Sequence, residues 1–179
     1  MIVSHVAITT VDGYLTRPEP ERQAGIQHLM GLRAHGAVVA AGLAPDGRTA
    51  DLVCRVEQPD HVAKLVETSP LFRNGLWTAY ASRSFAQFLE PWDAPPPRRG
   101  EMREATIVEG AAPDAEMASF ALIEARGAGH ALLAGFFEDN RMLALMTIAD
   151  PTEAAAHLDA TGLFTAGTLR GRRLLLEVW

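Results

Sequence analysis

The feature that most limits how this chain can fold is that it is written twice. Two stretches about ninety residues apart repeat in order and spacing, the sign of a duplicated supersecondary unit. "VVAAGLAPDG" from Val38 matches "ALLAGFFEDN" from Ala131, and "QPDHVAKLVETSPLFRNGL" from Gln58 matches "ADPTEAAAHLDATGLFTAGT" from Ala149. Pro59 falls on Pro151, Leu71-Phe72 on Leu163-Phe164, and Gly75 on Gly167. The halves close on "LEPW" at Trp92 and "LEVW" at Trp179. Between them "DAPPPRRGE" carries consecutive prolines, which favour an extended segment without ladder donors. The reading is a first unit over 1–92, a Pro-rich linker over 93–102, and a second unit over 103–179.

Each half predicts the same element order. "MIVSHVAITT" alternates as a strand does, and "REATIVEG" from Arg103 is its counterpart. A helix follows. Pro20 suits its first turn, Glu19 and Glu21 suit the positive end of its dipole, and Gly36 stops it; Pro113, Asp114, Glu116 and Gly127 take these parts in the second half. Two apolar strands flank the turns "APDG" and "FEDN", where Gly and Asn accept positive φ. A second helix starts at Pro59 and at Pro151, with Asp150 and Glu153 spaced as a capping box. Strand, helix, strand, strand, helix, strand is the ferredoxin-like split βαβ unit, an α+β architecture with one bare sheet face. A covalent second copy is expected to cover that face, sheet to sheet about a pseudo-twofold axis.

With 179 residues, 48% of them hydrophobic, the chain can bury a substantial core. No apolar run reaches the roughly 18 residues of a membrane helix, and the start lacks the pattern of a secretory signal, so the expectation is a cytoplasmic protein without a membrane partner. Cys54, the one cysteine, lies in the apolar alternation "DLVCRVE" and reads as a small core residue. A net charge of −6 with scattered basic residues argues against nucleic acid. Only Lys64 among the 16 basic residues is a lysine, which with the wealth of Ala, Gly and Arg points to a high-GC bacterial source.

The first half resembles the YCII-related family through "QHLMGL", "AAGLAPDG" and "SPLFRNGLW". His28-Leu29, Ala41-Gly42, Pro70, Phe72 and Gly75 match its pattern; where the family has Asp, this chain has Ser69. The resemblance implies the dimeric α+β barrel fold, here as a fused tandem within one chain. It implies a histidine–aspartate dyad between sheet and helices, and relatives that eliminate, isomerise or rearrange small acidic or phenolic molecules without a cofactor. His28 and Ser69 are therefore the candidate catalytic residues, and His5, Arg73 and Trp77 the candidate substrate-binding ones. No metal and no cofactor is expected; the partner is a small-molecule ligand, with a further homodimer of the tandem left open.

The departures carry equal weight. Without the carboxylate at position 69, nothing there fixes the imidazole tautomer or stabilises its charged form. In the second half the helix position of His28 falls on Phe120 or Ala121 and that of Ser69 on Thr161, so the second unit reads as degenerate and structural. His28 lies at the edge of the apolar arc of its helix, where a merely packed or solvated histidine is the competing reading. His5 shares a strand face with Val3 and Ala7 and could point into the same pocket. Arg73 could pair with a carboxylate. His35 suits a helix C-terminus, and His61, His130 and His157 read as solvated or packed. No phosphate loop, G-x-S-x-G elbow or HExxH occurs. The expected activity is a lyase or isomerase with a histidine acid/base. A non-catalytic ligand-binding or accessory protein is the first alternative, and a monooxygenase or haem-binding member of the fold the second.

Overall fold

The structure, a computed structural model, describes residues 1–91 and 102–179. The first half runs β1 (Ile2–Thr10), a short 3-10 turn (Tyr14–Thr16), α1 (Glu19–Ala34), β2 (Val38–Leu43), β3 (Thr49–Val56), α2 (His61–Thr68), α3 (Pro70–Arg73), β4 (Trp77–Ser84) and β5 (Ala86–Leu89). The second runs β6 (Arg103–Ala111), α4 (Ala115–Gly127), β7 (Ala131–Phe136), β8 (Arg141–Met146), α5 (Pro151–Asp159) and β9 (Arg170–Val178). The fold is mixed α+β, with nine strands among the described residues. The expected boundary at Trp92 and the linker, apart from Met102, lie outside the described residues.

Local chemistry accounts for most of these boundaries. Asp114 caps α4 through the N–H groups of Glu116 and Met117, at 3.0 and 3.1 Å, and Asp150 caps α5 through Thr152 and Glu153, both at 2.9 Å. Positive φ recurs at matched places: Gly36 and Gly129 after the first helices, Gly47 and Asn140 in the hairpins, Gly75 before β4 and Gly167 before β9. Gly127 is the last residue of α4, so the left-handed residue that ends it is Gly129. The helix expected at Pro59 begins at His61.

The chain divides into two compact units. The first contains Met1–Ser84 and Leu175–Trp179, with strand order β4-β1-β3-β2-β9; the second contains Arg103–Leu174 together with β5, ordered β9-β6-β8-β7-β5. The last strand thus contributes its C-terminal residues to the first unit, where Ala41 pairs with Val178, and β5 from the first half pairs with β7. Side-chain packing explains the placement of β5. The Phe85 ring lies where a Cβ on Gly135 would stand, 2.3 Å from it, and tilts onto Phe137 at 5.6 Å.

In the first unit the apolar core lies on the helix-covered side of the sheet, where Val6, Ile8, Leu52 and Cys54 pack with Leu29, Val62, Val66 and Leu71. Alternation therefore turns His5, Ala7 and Thr9 to the other face. Cys54 is buried, and burial pushes its thiol up to about 12, in keeping with a core residue rather than a nucleophile. Among the described residues no helix is long and apolar enough to cross a membrane.

Candidate functional site

The sheet face turned away from the helices of the first unit carries a histidine–carboxylate pair. His5 on β1 is aligned with Val53 on β3, and Asp51, two residues along β3, is aligned with Ala7. All four share one face, and the His5 ring reaches diagonally to Asp51, its Nε2–H donating to Oδ1 at 2.7 Å. Both residues are only 3% exposed. A buried carboxylate is stable only with such partners, and a charge-assisted hydrogen bond is about twice as strong as a neutral one. The contact fixes the ring orientation and stabilises the imidazolium whenever it forms.

Beside the pair the sheet is floored by small side chains. Ala7 is aligned with Ala81 on β4, and Thr9 with Ala79; all four residues are exposed. From Asp51 across Ala7 to Ala81 spans two strand spacings, about 10 Å. On the other side Asp51 is aligned with Gly42. Arg83 is aligned with His5, adding a cation to the same face. A carboxylate, an imidazole and a guanidinium thus border a shelf whose side chains rise no further than a threonine.

The remaining candidates fall elsewhere. His28 lies on α1, on the helix-covered side, and its Nε2 is buried with no hydrogen-bond partner. One turn earlier, Gly25 sits against Leu71: a Cβ there would stand 2.2 Å from Leu71 Cγ, so only glycine lets α3 approach α1 this closely. Ser69, fully buried, caps α3, its Oγ accepting from Leu71 N–H at 3.3 Å. Thr161 does the same for Leu163 at 3.4 Å. The serine is thus accounted for by a local side-chain-to-backbone hydrogen bond that recurs in the turn of the second half, and no hydrogen bond joins it to His28. Arg73 is exposed at the end of α3. Trp77 is a core residue, 4% exposed. The structure therefore does not bring His5, on one face of the sheet, together with His28 and Ser69 on the other.

Sequence reasoning missed Asp51, although a carboxylate inside "TADLVCRV" is the kind of interruption that calls for a buried partner. It also missed Tyr14, Arg22 and Glu177, whose charges act on one another in the first unit. In the second half the strand registers place Ile107 where His5 stands and Leu143 where Asp51 stands, so the pair has no duplicate. His130 and His157, read separately as packed or solvated, meet edge to face at 4.9 Å.

No protein-family pattern matches the chain, and no curated protein matches it. Among the solved structures that match it, two are similar over nearly their whole length. A "putative monooxygenase" from Lactobacillus acidophilus NCFM is 12% identical with a TM-score of 0.58, covering 99% of this chain and 94% of its own. A "putative monooxygenase" from Fusobacterium nucleatum subsp. nucleatum ATCC 25586 is 10% identical with a TM-score of 0.60, covering 99% and 91%. The fold is that of the dimeric α+β barrels. At such identities the likeness extends to architecture alone. Within this dimeric α+β barrel fold, the histidine–carboxylate pair lies on β1 and β3 rather than on α1 and the start of α3, where the YCII resemblance puts one.

Proposed function

We propose that the chain is a cofactor-independent enzyme that moves a proton on a small anionic or phenolic molecule, a lyase or isomerase, with His5 as the acid/base and Asp51 as the group that orients it. The observation that carries this is the 2.7 Å contact between two residues that are both only 3% exposed, beside a shelf of small side chains. Removing a proton from carbon or a phenol makes an anion on the substrate and an imidazolium on the enzyme. Asp51 stabilises the imidazolium, and Arg83 on the same face favours the anion. In the same reading the chain is a fused pair of ferredoxin-like units, supported by the three matched pairs of positive-φ residues, and the second unit is a structural partner.

A second reading keeps proton transfer on His28, as the YCII likeness implies, and is favoured by its buried, unpartnered Nε2. The experiment is a screen of small carboxylic acids, lactones and hydroxyquinones for deuterium uptake from D2O, for elimination or isomerisation, and for O2 consumption. His5→Gln is expected to abolish conversion and His28→Gln to spare it. The reverse pattern would favour the YCII-like site. O2 uptake would favour a monooxygenase, and saturable binding without conversion an accessory protein.

A further inference from the structure

The contact between His130 and His157, in the second unit, plays no part in the reaction above. The two rings meet edge to face, with centroids 4.9 Å apart and planes at 72°. They come from separate elements. His130 stands between α4 and β7, and its main chain is fixed on both sides: its N–H donates to the Ala125 carbonyl at 2.7 Å, and its carbonyl accepts from the Thr147 N–H at 2.9 Å. Arg126 donates to the Leu132 carbonyl at 2.6 Å and so ties the end of α4 to the start of β7 beside it. His157 lies in the last turn of α5 and is exposed, whereas His130 is half-buried. One imidazole is thus held in place and the other is open to water.

Spacing and field both point to a cation at this pair. With metal–nitrogen bonds of about 2.1 Å and a ring radius of about 1.2 Å, two imidazoles sharing one square-planar or tetrahedral ion have centroids roughly 4.6–5.3 Å apart. The pair already stands at that separation, so chelation asks only for rotation of the rings about their side-chain bonds, which the exposed position of His157 allows. The contact also joins two helix C-termini. His130 follows the end of α4 at Gly127 and bonds its Ala125 carbonyl, and His157 belongs to the final turn of α5. That end of a helix carries a partial negative charge, which favours a bound cation. Neutral imidazoles suit Zn2+, Cu2+ and Ni2+, whereas Mg2+ and Ca2+ take oxygen ligands. Among the described residues no third His, Cys, Asp or Glu completes a metal cluster. Water therefore takes the remaining positions of the ion, unlike the four protein ligands of a closed structural zinc centre.

We propose that His130 and His157 form a two-imidazole site for an exchangeable late first-row divalent cation, Cu2+, Ni2+ or Zn2+, which clamps the start of β7 to α5. The site shares no residue with the His5–Asp51 pair and is tested without a substrate.

The test is calorimetric titration of the full chain, carrying no affinity tag, with ZnCl2 and with MgCl2 at neutral pH, beside electron paramagnetic resonance of the chain with one equivalent of Cu2+. The parent is expected to take up one equivalent of Zn2+ and no Mg2+. His130→Gln and His157→Gln are each expected to weaken Zn2+ at least ten-fold, because one imidazole alone loses the chelate, and His61→Gln to leave it unchanged. The Cu2+ spectrum should show coupling to two imidazole nitrogens in the parent and to no more than one in either variant. Saturating Zn2+ should raise the melting temperature of the parent but not that of His157→Gln. His157 is exposed, so this comparison stands even if His130→Gln does not fold. Zn2+ binding that is absent, or as strong in His157→Gln as in the parent, or a Cu2+ spectrum from a single nitrogen in the parent, would overturn the proposal.

Discussion

His5 and Asp51 are diagonal rather than direct partners across β1 and β3: His5 is aligned with Val53, and its ring crosses to the carboxylate two residues away. The diagonal is possible because the residue aligned with Asp51 is Ala7, whose methyl leaves room for the imidazole.

Removing one member of this pair leaves the other buried without its partner. Asp51→Ala and His5→Ala are each expected to destabilise the protein by about 3–5 kcal/mol, whereas replacing both with apolar residues of similar volume should cost much less. Urea denaturation of the two single variants and the double variant checks this. A double variant as unstable as the sum of the singles would mean that the two side chains do not support each other.

Ser69→Ala should cost about 1 kcal/mol, because it removes a side-chain acceptor from a buried cap, and Thr161→Ala, in an exposed turn, should cost less. Ser69→Asp puts a carboxylate at a fully buried position whose hydrogen-bond partner is the Leu71 N–H, so it is expected to lower the melting temperature without raising turnover. A large gain in turnover would show that position 69 faces the reaction through His28.

Gly25→Ala places a methyl group against Leu71 and should cost about 1–3 kcal/mol by forcing α1 and α3 apart. Gly31→Ala, where an added Cβ meets nothing within 4 Å, should instead be neutral or stabilising. Thermal melts of the two variants side by side read the difference.

Much of the fold was legible because turns and caps are local chemistry. Asp114, Asp150, Gly47 and Asn140 do in space what their residue types announce. The placement of β5 was not legible, since it depends on Phe85 finding the bare backbone of Gly135 far along the chain. The site was half legible. His5 is a visible oddity in a strand, but its partner emerges only when β3 is set in register beside β1. Ser69 stands where the family has Asp, and its hydroxyl is explained by a cap. Glu177 was hidden because its orientation comes from a one-residue register shift that no periodicity reveals.

Ionisation of Glu177 gives stability a definite pH dependence. Its folded carboxyl titrates at about 7, against roughly 4.3 for an unperturbed glutamate, so between those values the folded state binds more protons. The stabilisation is fully present below pH 4 and is lost as pH rises through 7, by an amount on the order of 3 kcal/mol. Glu177→Gln should remove this loss. Chemical denaturation at pH 5.5 and 8.5 should show the variant gaining on the parent at the higher pH, and equal curves at both would contradict the assignment.

The most direct test of proton transfer by the His5–Asp51 pair is a double-mutant cycle on rate. Deuterium uptake from D2O into the best substrate of the screen is measured for the parent, His5→Gln, Asp51→Asn and the double variant. A pair acting as one unit predicts that each single variant loses about 10²-fold or more and that the double variant loses no more than the worse single. Independent, multiplying losses, or single variants as fast as the parent, would contradict the account.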